Sequence, residues 1–148
     1  MSLTNLLYHL VFGTQDRHPW ITQEIEQNLY EYLGGIIRGQ KGISLEINGV
    51  EDHLHILAKL HQATAVADVL RELKSESSRW LHENFAAARK FAWQPGYAAF
   101  TVSESQVERV RRYIRNQKQH HRSYDFRTEL IALLEAHRIE FDEKYLLK

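Results

Sequence analysis

The chain alternates between short runs whose apolar residues recur at every second position and longer segments whose apolar residues recur every three or four positions. The first pattern is typical of β-strands and the second of amphipathic helices. In chain order, these patterns predict strands at residues 6–14, 44–48, 52–60 and 97–102, and helices at residues 22–39, 64–85, 103–120 and 126–137.

Local signals refine these elements. Thr22 is expected to cap the first helix, and Gly49 is expected to lie in a short turn that joins the second and third strands as a hairpin. Ser103 and Gln106 have the spacing of a capping box at the start of the third helix. The order strand, helix, strand, strand, helix, strand predicts an α+β fold of the ferredoxin-like, split β-α-β type. We expect one antiparallel sheet with helices on one face, the other face open, and two further helices at the C-terminal end.

Composition narrows the class of protein. Hydrophobic residues make up 43% of the 148 residues, which is ordinary for a globular protein and suits a single domain over residues 1–148. Cysteine is absent, which excludes disulfides and thiolate metal sites. No segment has the pattern of a signal peptide or of a membrane span. We therefore expect a cytoplasmic protein with no membrane partner.

Charge is balanced overall but distributed unevenly. The chain has 19 basic and 19 acidic residues, yet residues 109–122 contain six lysines and arginines and no acid. Residues 125–143 are predominantly acidic. A local basic stripe matters more to a nucleic-acid backbone than the total charge, because salt screens charges beyond about 10 Å.

Two histidines define the first candidate site. His53 and His55 are two positions apart in the third predicted strand, so both side chains leave the same face of the sheet. Leu54 and Ile56 leave the other face and would hold the strand against a core. The pair is either half of a metal site or the polar side of a half-exposed sheet, and the strand alone does not separate these interpretations.

A second candidate lies on the third predicted helix. Tyr113 and Gln117 are four positions apart and share a helical face on the basic stripe. Two imidazoles and an amide oxygen would leave a divalent cation strongly Lewis acidic and able to bind an anionic oxygen, such as that of a phosphodiester. A tyrosine hydroxyl nearby could then attack the phosphorus and form a covalent phosphotyrosine. An interfacial core tyrosine with a solvated glutamine is the simpler alternative.

Five segments together carry a family resemblance: 8–12 (YHLVF), 46–55 (EINGVEDHLH), 73–80 (LKSESSRW), 91–97 (FAWQPGY) and 112–121 (RYIRNQKQHH). In this order and spacing the chain resembles the single-tyrosine HUH transposases of bacterial insertion sequences, the TnpA or IS200-like type. The resemblance implies that His53 and His55 bind the metal, that Gln117 is its third ligand and that Tyr113 is the nucleophile.

The same resemblance implies an activity and its partners. The family cleaves single-stranded DNA at element ends that fold into hairpins, leaves a 5′ phosphate on the tyrosine and then rejoins ends, and it works as a homodimer. It implies Mg²⁺ as the cofactor, whereas two imidazoles favour Mn²⁺, so we expect Mg²⁺ first and Mn²⁺ second. The basic side chains expected to contact DNA are Arg79, Arg112, Arg115 and Lys118.

Some features depart from the family or leave alternatives open. The loop after the first strand has Gln15 and Asp16 where the family usually has a basic residue, and the acidic segment after Phe126 carries no motif that indicates a role. His9 is expected to be a buried, hydrogen-bonded core residue, the alternative being that it approaches the site. His120 and His121 are expected to form a solvated helix end, the alternative being that they contact DNA or metal. The alternative functions are a non-catalytic module that binds single strands by stacking, and a replication or conjugation nickase with the same chemistry.

Overall fold

The computed structural model describes residues 1–146 and contains a four-stranded antiparallel sheet with the strand order β2-β3-β1-β4. The strands are β1 (Leu6–Gly13), β2 (Ile43–Val50), β3 (His53–Leu60) and β4 (Ala98–Val102). The helices are α1 (Gln23–Gly39), α2 (Val66–Asn84), α3 (Val107–Arg115), α4 (Gln117–His120) and α5 (Phe126–Ala136). Three single turns of 3-10 helix, Gln15–Arg17, Ala86–Ala88 and Glu104–Gln106, lie between them. This order and pairing confirm the predicted α+β, split β-α-β fold.

One face of the sheet carries the main core. Alternate side chains of β1 and β3, such as Leu10, Phe12, Leu54 and Ile56, pack with the apolar stripes of α1 and α2 and are almost fully buried. These stripes follow the helical period that the sequence shows, since burying them against a sheet removes apolar surface from water. Within residues 1–146, none of the helices is both long enough and apolar enough to cross a membrane.

The opposite face of the sheet, which was expected to be open, is covered. α3 lies against β2 and β3, and α5 packs its stripe of Phe126, Leu130 and Leu134 onto Val11 and Phe100. The physical reason is that α5 also has an apolar stripe to bury, and α1 and α2 already cover the first face. The histidine face is therefore an interior surface between the sheet and the C-terminal helices.

The hairpin between β2 and β3 forms as predicted, but Gly49 is not in its turn. Gly49 lies inside β2, and the turn consists of Glu51 and Asp52. A Cβ atom at position 49 would lie 2.2 Å from the carbonyl oxygen of His53 and 2.7 Å from Cα of Leu54. Glycine is needed here because two backbone segments approach closely, and not because the chain reverses direction at this residue.

The long helix predicted for residues 103–120 is interrupted. Its first turn is a 3-10 turn in which Ser103 makes no capping bond, so the expected capping box is absent. Thr22 likewise makes no side-chain cap at α1. At Asn116 the backbone leaves the helical conformation (φ −93°, ψ 15°) and separates α3 from α4. The side chain of Asn48 on β2 donates hydrogen bonds of 3.0 Å to the carbonyl oxygens of Ile114 and Arg115, which the helix would otherwise use.

Candidate metal and nucleophile site

His53 and His55 project together from the covered face of β3. Because successive strand residues alternate in direction, Leu54 between them enters the main core and fixes the strand. Both imidazoles have 0% exposure. Their Nε2 atoms lie 3.0 Å from the same oxygen, Oε1 of Glu129. The sheet thus presents two ring nitrogens to one point.

The outer nitrogen of each ring is also held. Nδ1 of His53 donates to Oδ1 of Asp52 at 2.8 Å, and Nδ1 of His55 lies 2.8 Å from Nε2 of His9 on β1. The ring of Phe126 stacks on His53 with a centroid distance of 3.9 Å. The expectation that His9 is buried and hydrogen-bonded is confirmed, and its partner places it beside the site. Such outer contacts fix ring orientation and tautomer, as they do around metal-binding histidines.

Tyr113 and Gln117 reach the histidine face within one chain. Oε1 of Gln117 lies 3.2 Å from Nε2 of His53, and its amide nitrogen donates to Oε2 of Glu129 at 2.7 Å. The hydroxyl of Tyr113 donates to the same carboxylate oxygen. The rings of His55 and Tyr113 lie edge to face with centroids 5.8 Å apart. The four residues named from the sequence are therefore brought together, although the helix between Tyr113 and Gln117 is broken.

Glu129 is the central residue that the sequence interpretation missed. It comes from α5, in the acidic segment to which no role was assigned, and it is only 3% exposed. One signal could have found it: Glu129 sits between Phe126 and Leu130 on the apolar stripe of an amphipathic helix, where a charged residue is rarely placed without a partner. The partners themselves lie 8 to 76 positions away along the chain.

The expectation of a solvated helix end at His120 and His121 is wrong. The side chain of His121 is only 8% exposed, and its Nε2 lies 3.0 Å from Oε1 of Glu129, so a third imidazole joins the cluster. The ring of His120 lies 5.0 Å from that of Tyr113 and is half-buried. The cause is α5, which folds back over this end and excludes water from it.

The charges of the cluster depend on one another. Burial alone would raise the pKa of Glu129, but hydrogen bonds from His121, His53 and His55 outweigh it and hold this pKa well below the usual carboxyl range. Burial lowers the pKa of His55 to about 4. Burial would also lower the pKa of His53, but hydrogen bonds to Asp52 and Glu129 outweigh it and raise this pKa above 6.5. The centre is an anion held by imidazoles, and of the two strand histidines His53 keeps its proton more readily than His55.

This donor set fits a divalent cation. His53, His55 and Glu129 each offer a ligand atom, and these atoms lie within 4.8 Å of one another in a buried cluster. Imidazole nitrogen and carboxylate oxygen are common ligands of divalent metals. A cleft of about 320 Å³, lined by Tyr113, Tyr124, Thr128, Glu129, Ala132 and Leu133, gives access to the tyrosine between α3 and α5.

The basic residues expected to contact DNA fall into two groups. Arg112 and Arg115 are exposed on α3, and Lys118 is exposed on α4, beside the site. Arg115 pairs with Glu46 and Lys118 with Glu26, each at 3.0 Å. Arg79 pairs with Glu76 on α2, a helix that packs on the opposite face of the sheet. The structure does not bring Arg79 to the site.

Known proteins match this chain over most of its length. Residues 2–117 match the family described as IS200-like transposases. The ISDra2 transposase TnpA of Deinococcus radiodurans is 28% identical over 119 residues, which cover 76% of this chain and 84% of that protein. The matched residues of the family end at Gln117, so Glu129 and the whole of α5 lie beyond them.

Two solved structures have the same fold. The crystal structure of a candidate transposase from Deinococcus radiodurans aligns with a TM-score of 0.63 at 26% identity, over 78% of this chain and 93% of that one. A REP-associated tyrosine transposase bound to a REP hairpin aligns with a TM-score of 0.63 at 15% identity, over 82% and 71% of the two chains. The second likeness is one of fold alone. The chain belongs to the family of IS200-like transposases.

Proposed function

We propose that this protein is a metal-dependent DNA strand transferase that cleaves and rejoins single-stranded DNA at the ends of an insertion sequence. One observation carries the proposal: the hydroxyl of Tyr113 and the amide of Gln117 contact the same carboxylate as the imidazoles of His53 and His55. A candidate nucleophile and a candidate metal site therefore share one small volume within a single chain.

In the proposed reaction, the hydroxyl oxygen of Tyr113 attacks the scissile phosphorus. The phenol gives up its proton as a bond forms between the tyrosine oxygen and phosphorus, the bond between phosphorus and O3′ breaks, and the leaving O3′ takes up a proton to become a hydroxyl. The 5′ phosphate stays on the tyrosine as a diester that conserves the bond energy for rejoining. Burial and the negative charge of Glu129 raise the pKa of Tyr113 above its ordinary value, so the phenol is protonated at neutral pH before DNA binds.

We assign His53, His55 and Gln117 as residues that hold the divalent cation, with Mg²⁺ as the first choice and Mn²⁺ as the second. Coordination through Nε2 requires the proton of each ring to reside on Nδ1, where Asp52 and His9 are placed to accept it. When bound, such a cation polarises a phosphate oxygen and makes the phosphorus more electrophilic.

Arg112, Arg115 and Lys118 are proposed to bind the DNA backbone next to the nucleophile. The ion pairs that Arg115 and Lys118 make with Glu46 and Glu26 are partly exposed. Exposed pairs contribute little stability, so phosphates can replace the acids at small cost. Arg79 could contact only a DNA segment that passes over α2. By likeness of fold to the hairpin-bound transposase, we include hairpin ends as substrate, and we add action as a homodimer in the cytoplasm.

The alternative of a non-catalytic stacking module predicts an open sheet face with exposed aromatic side chains. The face in question carries buried histidines and is covered by α3 and α5, which favours the enzyme. The nickase alternative would use the same residues, and no feature of the fold favours it over the transposase proposal.

The test is formation of a covalent adduct on single-stranded oligonucleotides from the DNA that flanks the gene. With a label at the 3′ end and Mg²⁺ or Mn²⁺ present, we expect a labelled band of the mass of protein plus DNA on a denaturing gel. Chelator should abolish it, Tyr113→Phe should lack it, and Tyr97→Phe, which removes an exposed hydroxyl elsewhere, should retain it. An adduct that persists in Tyr113→Phe contradicts the proposal, and hairpin binding without an adduct under either metal favours the binding module.

A further inference from the structure

The carboxylate of Glu129 is the common partner of every other group in the site. Its side chain is only 2% exposed. Oε1 accepts hydrogen bonds of 3.0 Å from His53, His55 and His121, and Oε2 accepts from Gln117 and Tyr113. The carboxylate therefore lies where β3 meets α3, α4 and α5.

The charge of this carboxylate lies in the interior of the protein. Over residues 1–146, its ion pairs are all with histidines, and no lysine or arginine pairs with it. A buried carboxylate without a partner of fixed positive charge is costly to desolvate. A dication held by two imidazoles and an amide has the opposite difficulty, because its ligands bring no negative charge. Each charge would neutralise part of the other.

The ligand atoms are also close enough to share one ion, since those of His53, His55 and Glu129 lie within 4.8 Å of one another. We infer that Glu129 is an anionic ligand of the divalent cation, so that α5 completes the metal centre from outside the part of the chain that matches the family. This inference rests on the proposed function, because it requires a divalent cation at His53 and His55. Two imidazoles with one carboxylate favour Mn²⁺ over Mg²⁺.

The opposite role for Glu129 would be that of an internal competitor that occupies the cation's position. The two roles predict opposite signs for one measurement. If Glu129 is a ligand, removing its charge weakens metal binding. If Glu129 is a competitor, removing its charge frees the histidines and strengthens metal binding.

Isothermal titration of the full, chelator-stripped chain with MnCl₂ measures that sign. Glu129→Gln keeps the shape of the side chain and removes its charge, and Glu135→Gln makes the same change at an exposed position of the same helix. We expect wild type and Glu135→Gln to bind Mn²⁺ equally, and Glu129→Gln to bind at least tenfold more weakly. An unchanged or increased affinity in Glu129→Gln, or no Mn²⁺ binding by wild type, would overturn the inference.

A second measurement uses only the wild-type chain and does not depend on how the variant folds. We expect Mn²⁺ to slow hydrogen exchange of the α5 amides, because a ligand on this helix ties it to the sheet. Unchanged or faster exchange would count against the inference.

The adduct assay separates this inference from the proposed function: wild type that binds Mn²⁺ through Glu129 but forms no adduct would contradict only the strand transferase. Adduct formation with unaltered Mn²⁺ affinity in Glu129→Gln would contradict only the assignment of Glu129.

Discussion

Replacement of His9 by phenylalanine should remove a defined part of the acid sensitivity of this fold. His9 is buried beside His55, and burial, with the charge of His55 as the next cause, lowers its pKa from 6.5 to about 3. The unfolded chain therefore binds a proton at this residue between about pH 6.5 and 3, while the folded chain does not. The stability that depends on a neutral His9 is complete above pH 6.5 and is lost as the pH falls through this window.

The magnitude follows from the difference in proton binding. Between pH 7.5 and pH 5, protonation of an unfolded histidine that stays neutral when folded lowers the free energy of unfolding by about 2 kcal/mol. His55, with a pKa of about 4, acts in the same direction. His53, whose pKa is raised, gains stability as the pH falls and works against both. The wild-type slope is a sum of these effects, so the informative quantity is the difference between wild type and His9→Phe.

Urea denaturation at pH 7.5 and pH 5, in the presence of chelator, measures that difference. We expect His9→Phe to be less stable than wild type at pH 7.5, because Nδ1 of His55 loses its partner, but to lose about 2 kcal/mol less than wild type on acidification. His61→Phe removes a histidine from the turn after β3, away from the cluster, and is the matched control. If His9→Phe and wild type lose the same stability between the two pH values, the reasoning about His9 is refuted.

Three further substitutions test how the backbone positions the site. Asn48→Ala removes the hydrogen bonds that end α3. We expect the free energy of unfolding, measured with urea, to fall by about 1–3 kcal/mol, and the yield of the Tyr113 adduct to fall as well. An unchanged adduct yield would contradict the positioning role of Asn48. Gly49→Ala places a Cβ atom 2.2 Å from a backbone oxygen, so we expect it to lower the free energy of unfolding by about 3 kcal/mol or more. A melting temperature equal to that of wild type would show instead that the hairpin can shift. Gly13→Ala places a Cβ atom 2.9 Å from the ring of Phe126, so we expect hydrogen exchange to become faster in α5 than in α1 relative to wild type. An equal change in both helices would contradict this prediction.

The order of elements could be predicted because local periodicity and core burial agree along most of this chain. The strand at His53 and His55 has an apolar back face that can pack only on α1 and α2, which sets the direction of both imidazoles. Helical spacing likewise predicted a shared face for Tyr113 and Gln117, which do meet in the site although the helix breaks at Asn116 between them. These predictions depend on neighbours two to four positions away, and such neighbours are visible in the sequence.

Contacts between distant residues could not be predicted in this way. The break at Asn116 depends on Asn48, which is 66 or more positions from the carbonyl groups it contacts. Which sheet face is covered depends on which apolar surface the stripe of α5 packs against. The pattern of α5 predicts only that this stripe is buried. The same holds for His121, whose burial depends on a helix that follows it in the chain.

The sequence by itself determined the order of the elements, because strand and helix periods set the direction of each side chain, and the resemblance of five segments indicated the family and four of the residues that meet in the site. Only the tertiary structure decided that Glu129 lies among them. The partners of Glu129 depend on how α5 packs on β1, β3 and β4. This packing depends on the summed burial of Phe126, Leu130 and Leu134, which no local pattern encodes.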